Sequence, residues 1–308
     1  SPGCGDASCN APGVHFPLPD TGERTCYSAT ASMDCPTGDA DAFYGQDALF
    51  GWDVLYGSGD RFVRDTDGAD PVVVDNVTGL MWQGCTYGRA GNTCTGSSTQ
   101  MTWYAALADC DTLPWGGYGD WRLPSDQELE SIVDLMEHTA ALDEDVFSNT
   151  SNYPYWSSTT YAAYTPTAVA VNFAYGVISA YDKSTSSNKY ARCVRGGGFS
   201  ATARFTRDTT TAVGYPTVSD AVTGLEWQGC VRGLWTNSCE SGSVAAYNWQ
   251  DSLAYCASLD WGGHQDWRLP SLKELRSIVD NRLEPYPVDA TTFPVTPASA
   301  LWTSSTDT

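Results

Sequence analysis

Positive charge is scarce in this sequence. Its 308 residues include 16 Lys and Arg against 37 Asp and Glu, which gives a net charge of -21. Lysine occurs only at Lys183, Lys189 and Lys273. Nucleic acids, anionic membranes and heparin-like glycans are bound by clustered Lys and Arg. None of these ligand classes is therefore expected.

Long apolar runs are also missing, and histidines are few. Stretches such as residues 72–74 fall far short of the ~20 apolar residues that a membrane span needs. No apolar signal segment follows Ser1, so we expect that processing has removed one. His15, His138 and His264 show no metal-ligand spacing. Hydrolase and nucleotide-binding motifs are absent, and we expect no catalytic activity.

Cysteine, by contrast, is abundant. Eleven cysteines accompany a charged fraction of only 17%. This combination is typical of secreted, disulfide-bonded proteins and predicts an extracellular or cell-surface location.

The chain contains an internal repeat. The segment T-G-L-x-W-Q-G-C at residues 78–85 returns at 223–230, and W-G-G-x-x-D-W-R-L-P-S at 115–125 returns at 261–271. The repeat predicts a small Cys-rich region at 1–58, a first domain at 59–198 and a second at 199–308. The second copy is about forty residues shorter than the first. We expect either that this sequence is incomplete or that a neighbouring chain completes the domain.

The repeat also organises the cysteines. It predicts three outcomes, namely local bridges within each copy, one long bridge in the first copy, and a Cys256 whose partner lies beyond residue 308. The predicted bridges are Cys85–Cys94, Cys230–Cys239 and Cys110–Cys193. Two further bridges are expected among Cys4, Cys9, Cys26 and Cys35, with three pairings open.

Each copy is predicted to be α+β, with two helices and a mostly antiparallel sheet. S-x-x-E capping boxes at 125–128 and 271–274 each open an amphipathic helix, the first with apolar positions through Met136. Further helices are predicted at 102–110 and 248–256. A hairpin is predicted from strands at 168–173 and 177–181, with a last strand at 190–194. Arg122 and Arg268 are predicted to be half-buried beside a carboxylate, and the ten recurring tryptophans to be core residues.

The motifs T-G-L-x-W-Q, W-x-x-A-x-x-x-C, D-W-R-L-P-S-x-x-E-L, W-S-S-T and R-C-V-R-G-G occur in this order. In this they resemble the C-terminal domain of bacterial collagen-like adhesins, the Lcl C-terminal domain family. They are also similar to the formylglycine-generating-enzyme branch of the C-type-lectin-like fold. The resemblance implies tandem, disulfide-stapled C-type-lectin-like domains that serve adhesion or recognition. The sulfated glycosaminoglycans associated with the adhesin do not suit a chain with this charge.

The stretch between Trp156 and Cys193 is the candidate ligand face, because the variable proteins of this fold meet their ligands there. Its aromatic and polar side chains suit glycan or protein surfaces. The candidate residues are Tyr161, Tyr164, Asn172, Tyr175, Tyr181, Asp182 and Tyr190. The alternative is that half of them point inward at strand spacing.

A second candidate is the acidic segment 65–70. Asp65, Asp67 and Asp70 have the oxygen density of a calcium loop but not the full EF-hand spacing. A solvated turn is the preferred interpretation, and calcium is the only cofactor considered.

Two functions follow from these patterns. The first is a non-enzymatic recognition or adhesion protein whose tandem domains bind an extracellular glycan or protein. The second is a structural subunit of an extracellular filament or appendage, assembled from copies of itself. Exposure of the tyrosine-rich segment would favour the first, and burial between subunits the second.

Overall fold

The computed structural model describes residues 18–19, 21, 23–49, 61–68, 70–135, 137, 140–196, 204–284 and 287–306. The predicted boundaries at 58/59 and 198/199, as well as Cys4 and Cys9, lie outside these residues. The described residues fall into three regions in chain order, namely the N-terminal region, the first repeat and the second repeat.

The described secondary structure is sheet-rich, with short strands and few helices. The N-terminal region holds β1 (Cys26–Tyr27) and β2 (Ser32–Met33). The first repeat holds β3 (Phe62–Asp65), β4 (Val72–Asp75), β5 (Met81–Gln83), α1 (Trp103–Asp111), α2 (Asp126–Ser131), β6 (Pro154–Thr160), β7 (Thr167–Asn172), β8 (Val177–Asp182) and β9 (Val194–Arg195). The second holds β10 (Phe205–Asp208), β11 (Thr217–Asp220), β12 (Glu226–Gln228), β13 (Leu234–Trp235), β14 (Ser241–Gly242), α3 (Trp249–Ala257) and α4 (Leu272–Ser277).

The first repeat has two antiparallel sheets, and the four-stranded one joins three strands that precede the helices to β9, which follows them. One has the order β3-β4-β5-β9 and the other the order β6-β7-β8. In the second repeat, the sheet β10-β11-β12 matches the first three strands of the four-stranded sheet. The predicted hairpin is present as β7 and β8, whereas the predicted last strand shrinks to β9, with Tyr190 making only an isolated bridge to Tyr155.

The capped helices are much shorter than the apolar spacing predicts. Ser125 and Glu128 form the expected capping box, but α2 ends at Ser131 and Ile132 and Val133 follow it as buried non-helical residues. At the end of α2, the carbonyl of Ser131 accepts a hydrogen bond from the Arg61 side chain at 2.8 Å. A carbonyl satisfied in this way does not need a further helical turn. The heptad-like spacing thus marks a buried strip of chain rather than a longer helix.

The tryptophans behave differently in the two repeats. Trp82, Trp121 and Trp156 are at most 2% exposed. Of their counterparts, Trp227 and Trp267 are half-buried and Trp302 is 52% exposed. The prediction that all ten repeat tryptophans are core residues is therefore wrong for Trp227, Trp267 and Trp302. Trp103 and its counterpart Trp249 are half-buried, whereas Trp115 and its counterpart Trp261 are buried as predicted. The second copy lacks described strands equivalent to β7, β8 and β9, which pack near the rings of Trp82, Trp121 and Trp156 in the first copy.

Hydrogen bonds of the tryptophan rings nevertheless recur. Trp115 Nε1 donates to Pro71 O and Trp261 Nε1 to Pro216 O, both at 2.7 Å. Similar pairs form at Trp103 and Trp249, which donate to Ser157 O and Thr303 O. The repeated sequence thus builds the same local scaffold twice, even where burial differs.

The N-terminal region packs on the second repeat. Asp47 N donates to Ser304 O at 3.3 Å, and Asp47 Oδ2 accepts a hydrogen bond from Ser305 Oγ at 2.8 Å. The ring of Phe43 lies 6.0 Å from that of Trp249. This region therefore covers the start of α3 and the segment equivalent to β6.

The two repeats meet through α2 and α4. Gln127 Nε2 donates to Val279 O at 2.9 Å, and Asn281 Nδ2 donates to Asp126 Oδ2 at 2.7 Å. Buried Glu130 lies 3.5 Å from Arg276 Nε. Polar side chains thus make several of the contacts between the repeats, and buried Val222 of the second repeat adds an apolar contact with the core of the first.

Four disulfides are described. They are Cys26–Cys35, Cys85–Cys94, Cys110–Cys193 and Cys230–Cys239. The last three join the pairs that the repeat predicts, and the first selects one of the N-terminal pairings. Cys256 is a free thiol.

Candidate functional site

The β7–β8 hairpin separates the two most exposed tyrosines of the predicted ligand face. Tyr175 lies in the turn after Asn172 and is 74% exposed, whereas Tyr164 precedes β7 and is 61% exposed. The six-residue strands between them span about 17 Å. A small ligand therefore cannot contact both rings, and the predicted face divides into two ends.

Two other predicted tyrosines serve packing. Tyr190 is 7% exposed and its ring packs 5.9 Å from that of Tyr155. Tyr181 packs edge-on against Trp156 at 6.3 Å, with Lys189 Nζ 4.1 Å from its ring centroid. These contacts agree with the alternative that part of the segment points inward.

The remaining predicted side chains shape turns or connections. Asn172 Oδ1 accepts a hydrogen bond from Ala174 N at 3.0 Å and holds the hairpin turn. Asp182 accepts hydrogen bonds from the amide and hydroxyl of Ser184, which lower the pKa of its carboxyl. Half-buried Tyr161 donates its backbone N–H to Thr167 O at 3.1 Å. Asn172 and Asp182 thus use their side chains within the hairpin, and Tyr161 is held at the start of the loop before β7 through its backbone.

The end of the hairpin opposite the turn combines exposed rings with fixed polar groups. Lys183 Nζ donates to Thr160 Oγ1 at 2.8 Å and to Thr165 O at 2.9 Å, and it lies 4.3 Å from the Trp103 ring centroid. Tyr104 stands beside Trp103, with ring centroids 5.4 Å apart, and is 60% exposed. We define Trp103, Tyr104, Tyr164 and Lys183 as the lysine-end surface.

Backbone contacts join the elements that carry the lysine-end surface. Trp103 N, at the start of α1, donates to Lys183 O at 3.0 Å, and Lys183 N donates to Pro166 O at 3.0 Å. The helix, the hairpin and the loop before β7 are thereby tied at one point. Rigid aromatic side chains offer contact area at a low entropic cost, which suits binding.

Most of the described Lys and Arg side chains are buried or form ion pairs within the protein. The three lysines are buried, and Lys273 Nζ donates to Ser131 O at 3.2 Å. Ion pairs with carboxylates occupy Arg61, Arg122, Arg195, Arg204, Arg268, Arg276 and Arg282. The predicted pairing of Arg122 and Arg268 is present, and in both cases the partner is the glutamate of the capping box. Little positive charge is left to bind a polyanion.

The acidic segment 65–70 forms a turn. Asp65 Oδ1 accepts a hydrogen bond from Asp67 N at 2.9 Å, which closes the turn from within. Across the described residues, no group of three or more His, Cys, Asp or Glu side chains is placed to hold a metal ion. Asp65, Asp67 and Asp70 thus do not come together as calcium ligands.

Sequence reasoning did not select Trp103, Tyr104 or Lys183. Because Trp103 recurs as Trp249, the sequence favoured a packing role for it. Lys183 is one of only three lysines. The usable signal was a lysine next to the predicted hairpin in a chain that has almost none. That its amine would lie over Trp103 depends on how α1 docks on the hairpin.

The sequence profile of the Lcl C-terminal domain matches residues 71–195 and again residues 216–308. These two matches cover most of the chain, which therefore belongs to the Lcl C-terminal domain family, with two copies in tandem. No curated protein matches the chain. None of the helices in the described part is long and apolar enough to cross a membrane.

Proposed function

We propose that this is an extracellular, non-enzymatic recognition or adhesion protein whose first repeat binds a surface ligand through the lysine-end surface. The observation that carries the proposal is Lys183, held by Thr160 and Thr165 over the Trp103 ring. The exposed side chain of Tyr104 follows Trp103 in the chain, and that of Tyr164 precedes Thr165. Family membership and four disulfides support a surface role. The α+β arrangement and the motif order support a C-type-lectin-like fold.

The ligand class follows from charge. Because the lysines are buried and many arginines are ion-paired, a sulfated or phosphorylated ligand would meet an acidic surface. We therefore propose a neutral glycan, or a protein surface without strong negative charge. Two repeats in one chain would allow avidity toward repeated ligands if both bind.

Glycan and protein arrays probed with the labelled 308-residue chain test this proposal. The Tyr104→Ala and Tyr164→Ala variants should each weaken binding to any hit about tenfold or more, as expected when a central aromatic contact is removed. Tyr175→Ala is the matched control, because it removes another exposed tyrosine, at the other end of the hairpin. Loss of binding in Tyr175→Ala alone would move the site to the turn.

The second candidate function is a structural subunit. The observation that favours it is the exposure of large apolar side chains in the second repeat, where Trp235 of β13 is 48% exposed and Tyr215 is 50% exposed. Negative-stain electron microscopy of material from the native source tests it. Filaments or tubes would support this function, and discrete small particles would support recognition.

A further inference from the structure

The second repeat carries an exposed tyrosine and an exposed tryptophan at positions where the first repeat has no aromatic residue. Tyr215 takes the place of Asp70 before a proline, and Trp235 takes the place of Ala90 in the disulfide-closed hairpin. In the first repeat, Ala90 is exposed and Asp70 is half-buried, although β7, β8 and β9 are present there. The exposure of Tyr215 and Trp235 therefore does not depend on the presence of such strands.

The hairpin of β13 and β14 holds the Trp235 ring in place. The two strands pair through Trp235–Ser241 and Leu234–Gly242. Gly242 has a φ of +93°, and a Cβ atom at this position would stand 2.5 Å from the Trp235 ring. Glycine is therefore required both for the backbone conformation and for the close approach of the ring. The backbone of Gly242 covers part of the ring, and the remainder faces solvent.

Tyr215 is held in a short turn. Its backbone N–H donates to Ala212 O at 2.9 Å, and its ring packs edge-on against that of Trp261, with centroids 5.1 Å apart. Trp261 is itself buried, and its Nε1 donates to Pro216 O. The Tyr215 ring thus rests on a fixed neighbour, and a ring held in this way loses little conformational entropy when a ligand binds.

Two hydrogen bonds join the turn of Tyr215 to the hairpin of Trp235. Gly214 N donates to Asn237 Oδ1 at 3.0 Å, and Thr236 N donates to Gly214 O at 2.9 Å. Gly214 directly precedes Tyr215 and Thr236 directly follows Trp235, so the two aromatic residues lie on adjoining segments. The exposed side chain of Asn237 lies at this junction and also carries an Nδ2 donor. We define Tyr215, Trp235 and Asn237 as the two-ring surface.

Charged groups beside the two-ring surface are used within the protein. Asp208 precedes the same turn and accepts hydrogen bonds from the amides and hydroxyls of Thr210 and Thr211, which lower the pKa of its carboxyl. Arg207 donates to three backbone carbonyls, that of Asn237 among them. The carboxylate disfavours an anionic ligand, and the guanidinium that could attract one is occupied. The charges at this surface therefore favour a neutral ligand.

The exposed groups fit the chemistry of a sugar ring. The face of an aromatic ring carries partial negative charge, and the C–H bonds on the apolar face of a pyranose carry partial positive charge, so the two stack. The Tyr215 hydroxyl and the Asn237 amide can hydrogen-bond to sugar hydroxyls. Two half-exposed aromatic side chains present roughly 200 Å², whereas each partner of a stable protein interface buries about 800 Å². By area, these two rings suit a short stretch of saccharide.

We propose that the two-ring surface of the second repeat binds a neutral saccharide. Tyr215 and Trp235 stack on the faces of sugar rings, and Asn237 donates to a sugar hydroxyl. The first repeat, which has Asp70 and Ala90 at the two aromatic positions, lacks this site. The site is separate from the lysine-end surface, and neither depends on the other.

Titration calorimetry and saturation-transfer NMR with the 308-residue chain test the proposal. The probes are neutral hexasaccharides of glucose, of mannose and of N-acetylglucosamine, with hexagalacturonate as the acidic comparison. We expect at least one neutral probe to bind, with saturation transfer strongest at the C–H protons of its sugar rings, and hexagalacturonate not to bind. Failure of every neutral probe to bind at millimolar concentration would overturn the proposal.

Variants locate the binding of that probe. Tyr215→Ala and Trp235→Ala should each weaken it about tenfold or more, and Trp235→Phe, which keeps a ring, should lose less. Asn237→Asp keeps an acceptor for Gly214 N and removes the Nδ2 donor. A loss of affinity in this variant at an unchanged melting temperature would separate a ligand contact from a structural role. Tyr175→Ala is the control, because it removes an exposed tyrosine of the first repeat, and it should bind as the parent does.

Three other results would overturn the proposal. The first is unchanged affinity in both Tyr215→Ala and Trp235→Ala. The second is binding that is lost in Tyr104→Ala and kept in Trp235→Ala, which would place the saccharide at the lysine-end surface and leave the proposed function intact. The third is association of the chain, measured by sedimentation and abolished by Trp235→Ala, which would assign the two-ring surface to a second copy.

Discussion

Glu130 should make the stability of the protein depend on pH. Its side chain is buried where the repeats meet, and desolvation raises the pKa of its carboxyl from 4.5 to about 7, a rise that nearby Asp126 supports. Arg276, 3.5 Å away, and Lys273 oppose this rise without cancelling it. At neutral pH and above, folding must keep a charge in a site that disfavours it.

The sign of the effect follows from proton linkage. A carboxyl with a raised pKa in the folded state binds its proton more tightly there than in the unfolded chain. Its stabilising contribution is therefore fully present below pH 4.5 and is lost as the pH rises to about 7. The difference between the two pKa values corresponds to about 3 kcal/mol of unfolding free energy.

The perturbation is Glu130→Gln, which keeps the shape and removes the titration. Above pH 7 the variant should be more stable than the parent by up to about 3 kcal/mol, because the raised pKa already includes the opposing effect of the Arg276 pairing. Near pH 4.5 this advantage should vanish. Urea unfolding of parent and variant at several pH values and constant ionic strength measures the difference.

The control is Glu240→Gln, which removes an exposed carboxylate of the same repeat array. Its curve should run parallel to that of the parent at every pH. If Glu130→Gln also ran parallel, burial of a charge at the interface would not explain the pH dependence, and the reasoning would fail.

Three further outcomes are expected. The Cys110→Ala/Cys193→Ala variant should lose about 4 to 5 kcal/mol of unfolding free energy, because the Cys110–Cys193 bridge closes a loop of over 80 residues. Calorimetry of the variant, with the reduced parent protein as a comparison, would measure this loss. Glu128→Ala removes both the cap on Ser125 N and the partner of Arg122, so the urea midpoint should fall by an amount equivalent to about 2 kcal/mol, while Glu128→Gln should lose less. The chain should pass unretained through a heparin column at low salt, and retention would contradict the burial of its lysines.

Much of the fold could be predicted because it is local or repeated. The capping boxes, the starts of α1 and α3, the hairpin turn and three disulfides depend on short-range spacing or on comparing one copy with the other. The helix ends could not be predicted in this way. Arg61, about seventy residues before it, satisfies the carbonyl of Ser131, and no local pattern reports such a contact.

The candidate site was predicted only in part for the same reason. Tyr164 and Tyr175 were selected and are exposed, but period-two reasoning could not show that they lie at opposite ends of one hairpin. Nor could it show that Tyr190 is buried beside Tyr155. Trp103 and Lys183 meet because α1 docks on the end of β8, a contact between segments about eighty residues apart.

The sequence by itself determined the acidic charge, the tandem repeat, the cysteine pairs within each copy and the absence of long apolar spans. These properties add up residue by residue or compare like with like along the chain. Only the tertiary structure decided which aromatic rings face solvent, that the lysines are buried, and that the N-terminal region packs on the second repeat. Burial and contact depend on distant segments packing together, because each side chain is covered by whatever element docks on it.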